Sequence, residues 1–298
     1  MRETRMIWWM VLLAAVLELG PGLQAQDAAA KAQQLLAQAR AALGGEKLKA
    51  LQSLSIEGSY RRIMGQGMEM SGDLTYDLLL PDKMMRVDTM RPFGDIEINN
   101  MEVVNGDTVW TDQSQSGGGG ANVVIRRGGA GGGDPKRQQE SINQNIRSDF
   151  AHTTLGLLLT TVSSFPVEYA FAGEADSPEG KADVLDVKGP NGFAARLFLD
   201  QKSHRPLMLT CKSRRPHVMM RTTTSGPPSE HDLEKQLKEA EAAPEVEHQV
   251  RYSAYKEING ISLPHKVSRG IEGETSEEIE FKKVKVNPSL KPEKFVKK

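Results

Sequence analysis

Apolar residues recur along this chain with two periods, and the change from one to the other marks out its elements. From Gln26 to Leu43, the residues Ala32, Leu35, Leu36, Ala39, Ala42 and Leu43 share one helical face, and Gly44-Gly45 supply a stop. Glu46 to Leu51 adds a short turn with Leu48 and Leu51 on one side. Beyond it the period drops to two. Leu54, Ile56 and Tyr60 alternate with polar neighbours, as do Leu74, Tyr76, Leu78 and Leu80 up to the Pro81-Asp82 turn, and Ile96 and Ile98. Half-buried antiparallel strands read this way, with one face in a core and one in water. Asn105-Gly106, between Glu102-Val103-Val104 and Thr108-Val109-Trp110, is a short-range hairpin signal.

Asp134-Pro135 opens a second helical stretch, with Ile142, Ile146 and Phe150 spaced by four; the apolar run Leu155 to Val162 follows, and Pro166 ends it. Strands then return over Asp183 to Lys188, Phe193 to Leu199, Leu207 to Cys211, Val250 to Lys256, Ile261 to Arg269 and Glu277 to Val286, joined by Gly/Pro/Asn turns. Strands outnumber helices, recognisable connections are short hairpins, and βαβ alternation is missing. A parallel sheet is therefore not expected.

Two segments break this order. Residues 114–134 are dominated by glycine, and 213–248 mixes prolines with a dense run of charges from Glu230 to Glu247. Both read as flexible insertions in a single domain covering residues 26–298. They also account for a hydrophobic content of 38%, low for a fully packed chain.

The N-terminus changes the picture most. Arg2 and Arg5 precede the apolar run Met6 to Leu17, and Leu23-Gln24-Ala25 follows a Gly-Pro-Gly break. That is the layout of a signal peptide over residues 1–25, cleaved after Ala25, and the run is shorter than the roughly 20 residues a membrane span needs. A periplasmic address follows. Cys211 is the one cysteine, so no intramolecular disulfide can form in that oxidising space, and stability rests on the core. A formal net charge of −1 argues against a nucleic-acid partner.

Candidate chemistry is sparse. The glycine tract runs into Asp134-Pro135 where a phosphate loop needs Lys-Ser or Lys-Thr, so it reads as a linker. The histidines show no ligand spacing, and neither a metal nor another cofactor is expected. No Gly-x-Ser-x-Gly elbow occurs. Cys211 ends an apolar strand, where a small core residue is the ordinary role. The charges of 230–247 read as a solvated helix. Methionines 64, 68, 70, 84, 85 and 90 crowd the first strands, as in cores or in surfaces that accept varied apolar partners. The segment from Leu155 to Val162 is too apolar for a surface loop, so it either plugs the core or moves.

Local textures add a resemblance. Ile258-Asn259-Gly260-Ile261-Ser262-Leu263-Pro264-His265, Glu280 to Pro288, Leu290 and Phe295 stand near the end; Leu199-Asp200-Gln201, Arg205-Pro206-Leu207 and Val104-Asn105-Gly106-Asp107 with Trp110 stand upstream. Together they resemble the bacterial outer-membrane lipoprotein-sorting superfamily, of LolA and LolB type. The resemblance implies an α+β fold, an incomplete antiparallel β-barrel (half-barrel) wrapped around and closed by helices, with an apolar cavity for the acyl chains of a lipid or lipoprotein. It matches no individual carrier residue.

The expected protein is thus a non-catalytic periplasmic carrier or sensor of a hydrophobic ligand, working as a monomer. Met68, Met70, Leu74, Tyr76, Leu78, Leu80 and Trp110 would line its cavity. Leu155, Leu158, Leu159 and Val162 would form a plug or lid. Two alternatives stay open: an envelope interaction protein docking a partner protein through the charged insertion, and a secreted hydrolase marked by perturbed acids or histidines inside the cavity.

Overall fold

Strands whose apolar residues share a face pair edge to edge into one wide antiparallel sheet. The computed structural model describes residues 21–63, 69–91, 95–117, 123–127, 135–177, 180–214, 218–222 and 244–297. Helices α1 (Pro21–Leu43) and α2 (Glu46–Lys49) lead into β1 (Ser53–Ile63), β2 (Glu69–Leu79), β3 (Lys83–Met90), β4 (Glu97–Asn105), β5 (Thr108–Ser116) and β6 (Val123–Arg127). Helix α3 (Pro135–Leu158) follows, with proline at its first position, where the missing N–H costs nothing. Then come β7 (Glu168–Ser177), β8 (Gly180–Lys188), β9 (Ala194–Asp200), β10 (Pro206–Arg214), β11 (Val218–Thr222), β12 (Glu245–Ser253), β13 (Lys256–Ile258), β14 (Ile261–Leu263), β15 (Lys266–Ile271) and β16 (Glu274–Val286).

The 12-stranded sheet runs β5-β4-β3-β2-β1-β16-β15-β12-β10-β9-β8-β7. Its halves meet where β1 pairs with β16, from Leu54 opposite Val286 to Arg62 opposite Glu277. Gly58 sits at a register shift in that pair, and an added Cβ would stand 2.5 Å from the Glu280 carbonyl oxygen, so only glycine permits the approach. The sheet stays open, with β5 and β7 at its two ends.

Apolar side chains of α1 and α3 belong to the same buried cluster as one face of the sheet. Leu35, Leu36 and Leu43 from α1 and Ile146, Phe150 and Leu155 from α3 join Leu54, Ile56, Leu74, Leu78, Leu197 and Phe281. On the opposite face a smaller cluster forms. The chain after β16 lays Phe295, fully buried, against Met85 and Val103, with Trp110 and Leu290 packed beside them.

Several expectations need correction. Helix α1 starts at Pro21, five residues before the helix expected from Gln26; residues 1–20 lie outside the described ones. The apolar run after α3 is not a continuous helix. The helix stops at Leu158, and Leu159 takes a left-handed φ of 54°, a rare conformation for leucine that turns the chain. Ile261 to Arg269 is two strands, broken at Pro264-His265, because proline cannot continue a ladder. Each insertion also holds a strand: β6 from the glycine-rich stretch pairs antiparallel with β11 from the charged one, Val218 opposite Arg127 through Thr222 opposite Val123. The helix read over 230–247 falls, up to residue 243, outside the described residues, and Glu245 opens β12.

Candidate ligand-binding site

The helix-facing side of the sheet holds both a buried apolar segment, Leu155 to Val162, and a buried cluster of charges. Gly156 brings α3 onto β12. The Tyr252 ring lies so close that a Cβ on Gly156 would come within 1.9 Å of it. The Tyr252 hydroxyl donates to the His152 carbonyl oxygen at 3.1 Å. At the end of the helix, the Leu159 carbonyl accepts from Arg40 of α1 at 3.2 Å and from the Tyr169 hydroxyl at 3.5 Å. Leu155, Leu157, Leu158, Leu159 and Val162 are all buried there. The void left between this segment and the sheet is about 10 Å³, bordered by Leu157, Tyr252, Val267, Arg269, Ile279 and Phe281. That is room for about one water, whereas pockets for drug-sized ligands run to about 300–1,000 Å³.

Beside it, charged residues stand at inward-facing strand positions. Arg269 of β15 lies opposite Glu277 of β16, which lies opposite Arg62 of β1. Arg62 holds the Glu277 carboxylate at 2.5 Å and reaches Asp88 at 3.2 Å. Arg86 grips Asp88 with two N–H groups at 2.7 and 3.0 Å and donates to the Tyr76 hydroxyl at 2.8 Å and to Glu277 at 3.3 Å. Arg269 is the loosest member. It approaches Glu277 at 3.4 Å and Thr153 of α3 at 3.5 Å, and its Nε, although ion-paired, makes no hydrogen bond. The side chains of Arg86 and Glu277 are each 6% exposed and that of Asp88 13%, so these charges interact in a low effective dielectric.

The electrostatics follow from that geometry. Burial alone would raise the Glu277 pKa, but Arg86, Arg62 and Arg269 outweigh it and hold the carboxyl at about 2. It is a permanently ionised ion-pair partner at neutral pH rather than a proton acceptor. Burial raises the Tyr60 phenol to about 12, and its hydroxyl has no hydrogen-bond partner. Burial likewise pushes the Cys211 thiol up to about 12, which leaves it protonated, in keeping with a core role. His152, its ring stacked on Phe193 at 5.0 Å, is lowered by burial to about 4 and stays neutral.

Of the residues expected from sequence to line the site, Leu74, Tyr76 and Leu78 lie buried on the helix-facing side, and Leu80 is partly buried against the same cluster. Met70 packs on a separate small cluster of Met90, Ile96 and Ile98. Met68 lies outside the described residues. Trp110 must be reassigned. It pairs with Val103, on the face away from the helices, and its Nε1 donates to the Phe295 carbonyl at 3.0 Å, so it pins the C-terminal segment. Leu155, Leu158, Leu159 and Val162 lie together in the main buried cluster.

Sequence reasoning missed Arg62, Arg86, Asp88, Arg269 and Glu277. A signal was there: Arg62 continues the phase of Leu54, Ile56 and Tyr60, and Glu277 that of Ile279 and Phe281. A charge at the buried phase of a strand needs partners, and partners imply a cluster.

No family model and no curated protein matches the chain. Among solved structures, it is similar to a LolA superfamily protein from Nitrosomonas europaea, with 10% identity, coverage of 89% of this chain and 97% of that one, and a TM-score of 0.46. It is similar to an outer-membrane lipoprotein-sorting protein domain from Vibrio parahaemolyticus at 10% identity, with coverage of 90% and 97% and a TM-score of 0.46. A DUF1329 family protein from Desulfovibrio piger shares 9% identity over 89% and 97%, with a TM-score of 0.42.

Proposed function

We propose that this chain is a periplasmic, non-catalytic carrier or sensor whose ligand inserts an acyl chain between the sheet and α3, displacing the segment from Leu155 to Val162. α1 and α3 then close an incomplete barrel, and residues 26–298 act as one unit after loss of the leader. One observation carries the reading: an apolar helix end fills the helix-facing side of an open sheet almost without residual space.

Magnitudes favour a displaceable plug over a standing cavity. Burying a CH₂ contributes about 0.8 kcal/mol, so a 14-carbon chain gains ~11 kcal/mol, close to nanomolar binding. A carrier must also let go. Four leucines, Leu155, Leu157, Leu158 and Leu159, are 0 to 3% exposed and recover about 1.5–3 kcal/mol each when they repack, roughly 6–12 kcal/mol together. The plug's return therefore offsets most of the ligand's burial and makes exchange feasible.

A fluorescent fatty-acid probe tests this. Saturable binding at one site per chain, reversed by unlabelled fatty acid, supports the reading; no saturable binding overturns it. A second reading draws on the β6–β11 ribbon, in which the two insertions pair with each other outside the main sheet. It would dock an envelope partner, and co-purification that survives removal of both insertions would exclude it.

A further inference from the structure

Basic residues concentrate on the face of the sheet opposite α3. Residues 282–298 hold seven lysines and one acid, a net charge of +6, in a chain whose formal net charge is −1. A run of like charge is ordinarily a solvated, loosely ordered segment. Here it is held down. In β16, Val284 and Val286 pack against the main core, so Lys283 and Lys285 stand on the other face. Both approach the same Glu57 carboxylate oxygen, at 3.6 and 3.5 Å, so one acid serves two ammonium groups. Past β16 the chain forms a strap, residues 287–297, tied at its start and near its end. The Asn287 side-chain oxygen accepts from the Gln52 and Ser53 amides at 2.8 and 3.2 Å, and the Ser53 hydroxyl donates to the Pro288 carbonyl at 2.7 Å. Trp110 Nε1 donates to the Phe295 carbonyl at 3.0 Å, and Lys294 meets the buried Asp77 carboxylate at 2.5 Å. Lys282, Lys291 and Lys297 are exposed.

An apolar tip stands among these lysines. Val296, between Lys294 and Lys297 along the strap, is 53% exposed, the most exposed large hydrophobic side chain among the described residues. An open recess of about 440 Å³ lies at the strap, lined by Ser289, Leu290, Lys291, Glu293 and Lys294. Ammonium groups around exposed aliphatic surface suit the interface of an anionic bilayer, where the charges attract headgroups and the aliphatic groups enter the acyl boundary. We propose that β16 and the strap form a docking surface for a membrane that carries anionic headgroups. Lysines alone would fit any acidic polymer; Val296 favours the bilayer. A molecule docked this way turns α3 away from the membrane, so the surface is separate from the acyl site and the inference does not depend on it.

Co-sedimentation with lipid vesicles tests the surface, using the chain without its leader, residues 26–298. Phosphatidylcholine vesicles serve as reference, and vesicles containing phosphatidylglycerol as the anionic membrane. Binding to the anionic vesicles alone, weakening steeply as salt is added, is expected. A lysine near such a surface contributes about fivefold in partitioning, so Lys282→Gln, Lys291→Gln and Lys297→Gln together should lower it more than tenfold. Lys181→Gln, Lys188→Gln and Lys202→Gln make the same change in net charge on the far half of the sheet and should leave partitioning nearly unchanged. All six side chains are exposed, so neither triple variant threatens folding. Val296→Ser should weaken vesicle binding severalfold. Equal binding to both kinds of vesicle, binding to neither, or equal loss in the two triple variants would overturn the docking surface. Competition by polyglutamate, together with no effect of Val296→Ser, would assign the lysines to an acidic protein instead. Vesicle binding is read without the fatty-acid probe, so its failure and the failure of acyl binding are distinct results.

Discussion

Gly156→Ala sets two effects of opposite sign against each other at the point where α3 meets the sheet. Alanine in place of a helical glycine favours the helix by about 1 kcal/mol. The added methyl would stand 1.9 Å from Tyr252 Cζ and 2.3 Å from its hydroxyl, distances no repacking of a single rotamer absorbs in a buried site. Overpacking of this kind costs about 1–3 kcal/mol, and loss of the Tyr252–His152 hydrogen bond adds about 1 kcal/mol. Destabilisation of about 1–3 kcal/mol is expected, measured by denaturant unfolding with an unchanged m-value. The same wedge lifts the plug, so the fatty-acid probe should bind severalfold tighter. In a Tyr252→Ala background, which makes room for the methyl, Gly156→Ala should cost little, so a double-mutant cycle should show the two positions coupled. A Gly156→Ala variant more stable than the parent would show that helix propensity wins, and the tight contact of α3 with β12 would be refuted.

Leu158→Ser with Leu159→Ser separates plug from permanent core: modest loss of stability with tighter probe binding marks a plug, whereas collapse without any gain in affinity marks fixed core. Phe295→Ala should cost about 3–5 kcal/mol, since the ring is fully buried, yet leave probe affinity unchanged because it lies on the other face; a large affinity change would contradict that assignment. Acid should lower stability over two pH windows. His152, lowered to about 4 from its ordinary 6.5, adds stability that is lost as pH falls from 6.5 toward 4, and Glu277, at about 2, adds stability lost between about 4.5 and 2. His152→Gln should remove the loss over the first window in a pH-dependent stability curve, and an unaltered curve would refute the buried neutral imidazole.

Strands were legible where one face is apolar throughout. In β1, Leu54, Ile56 and Tyr60 keep strict phase, and burial follows it. In β3 the inward positions are Met84, Arg86, Asp88 and Met90, so alternation is masked by the residues that build the charge cluster. Strand and site were hidden by one cause. Trp110 shows another limit. Val109 and Trp110 are adjacent and both apolar, and only the pairing of Trp110 with Val103 decides which of them turns toward the helices. Edge strand β7 escaped because Tyr169, Ala170 and Phe171 run together without alternation, and a register shift follows Phe171. The pairing of β1 with β16, and of β6 with β11, joins segments far apart in sequence, which local pattern cannot foresee. The plug was visible because eight residues so apolar are incompatible with a surface loop, though its left-handed turn at Leu159 was not.

Hydrogen–deuterium exchange across residues 146–165, with and without saturating fatty acid, tests the displaceable plug most directly. The account predicts that amides of α3 near Phe150 to Leu158 lose protection when the ligand binds, while strands β1, β2, β15 and β16 keep or gain it. Ligand bound with α3 equally or better protected would contradict it, because the acyl chain would then have entered without moving the helix.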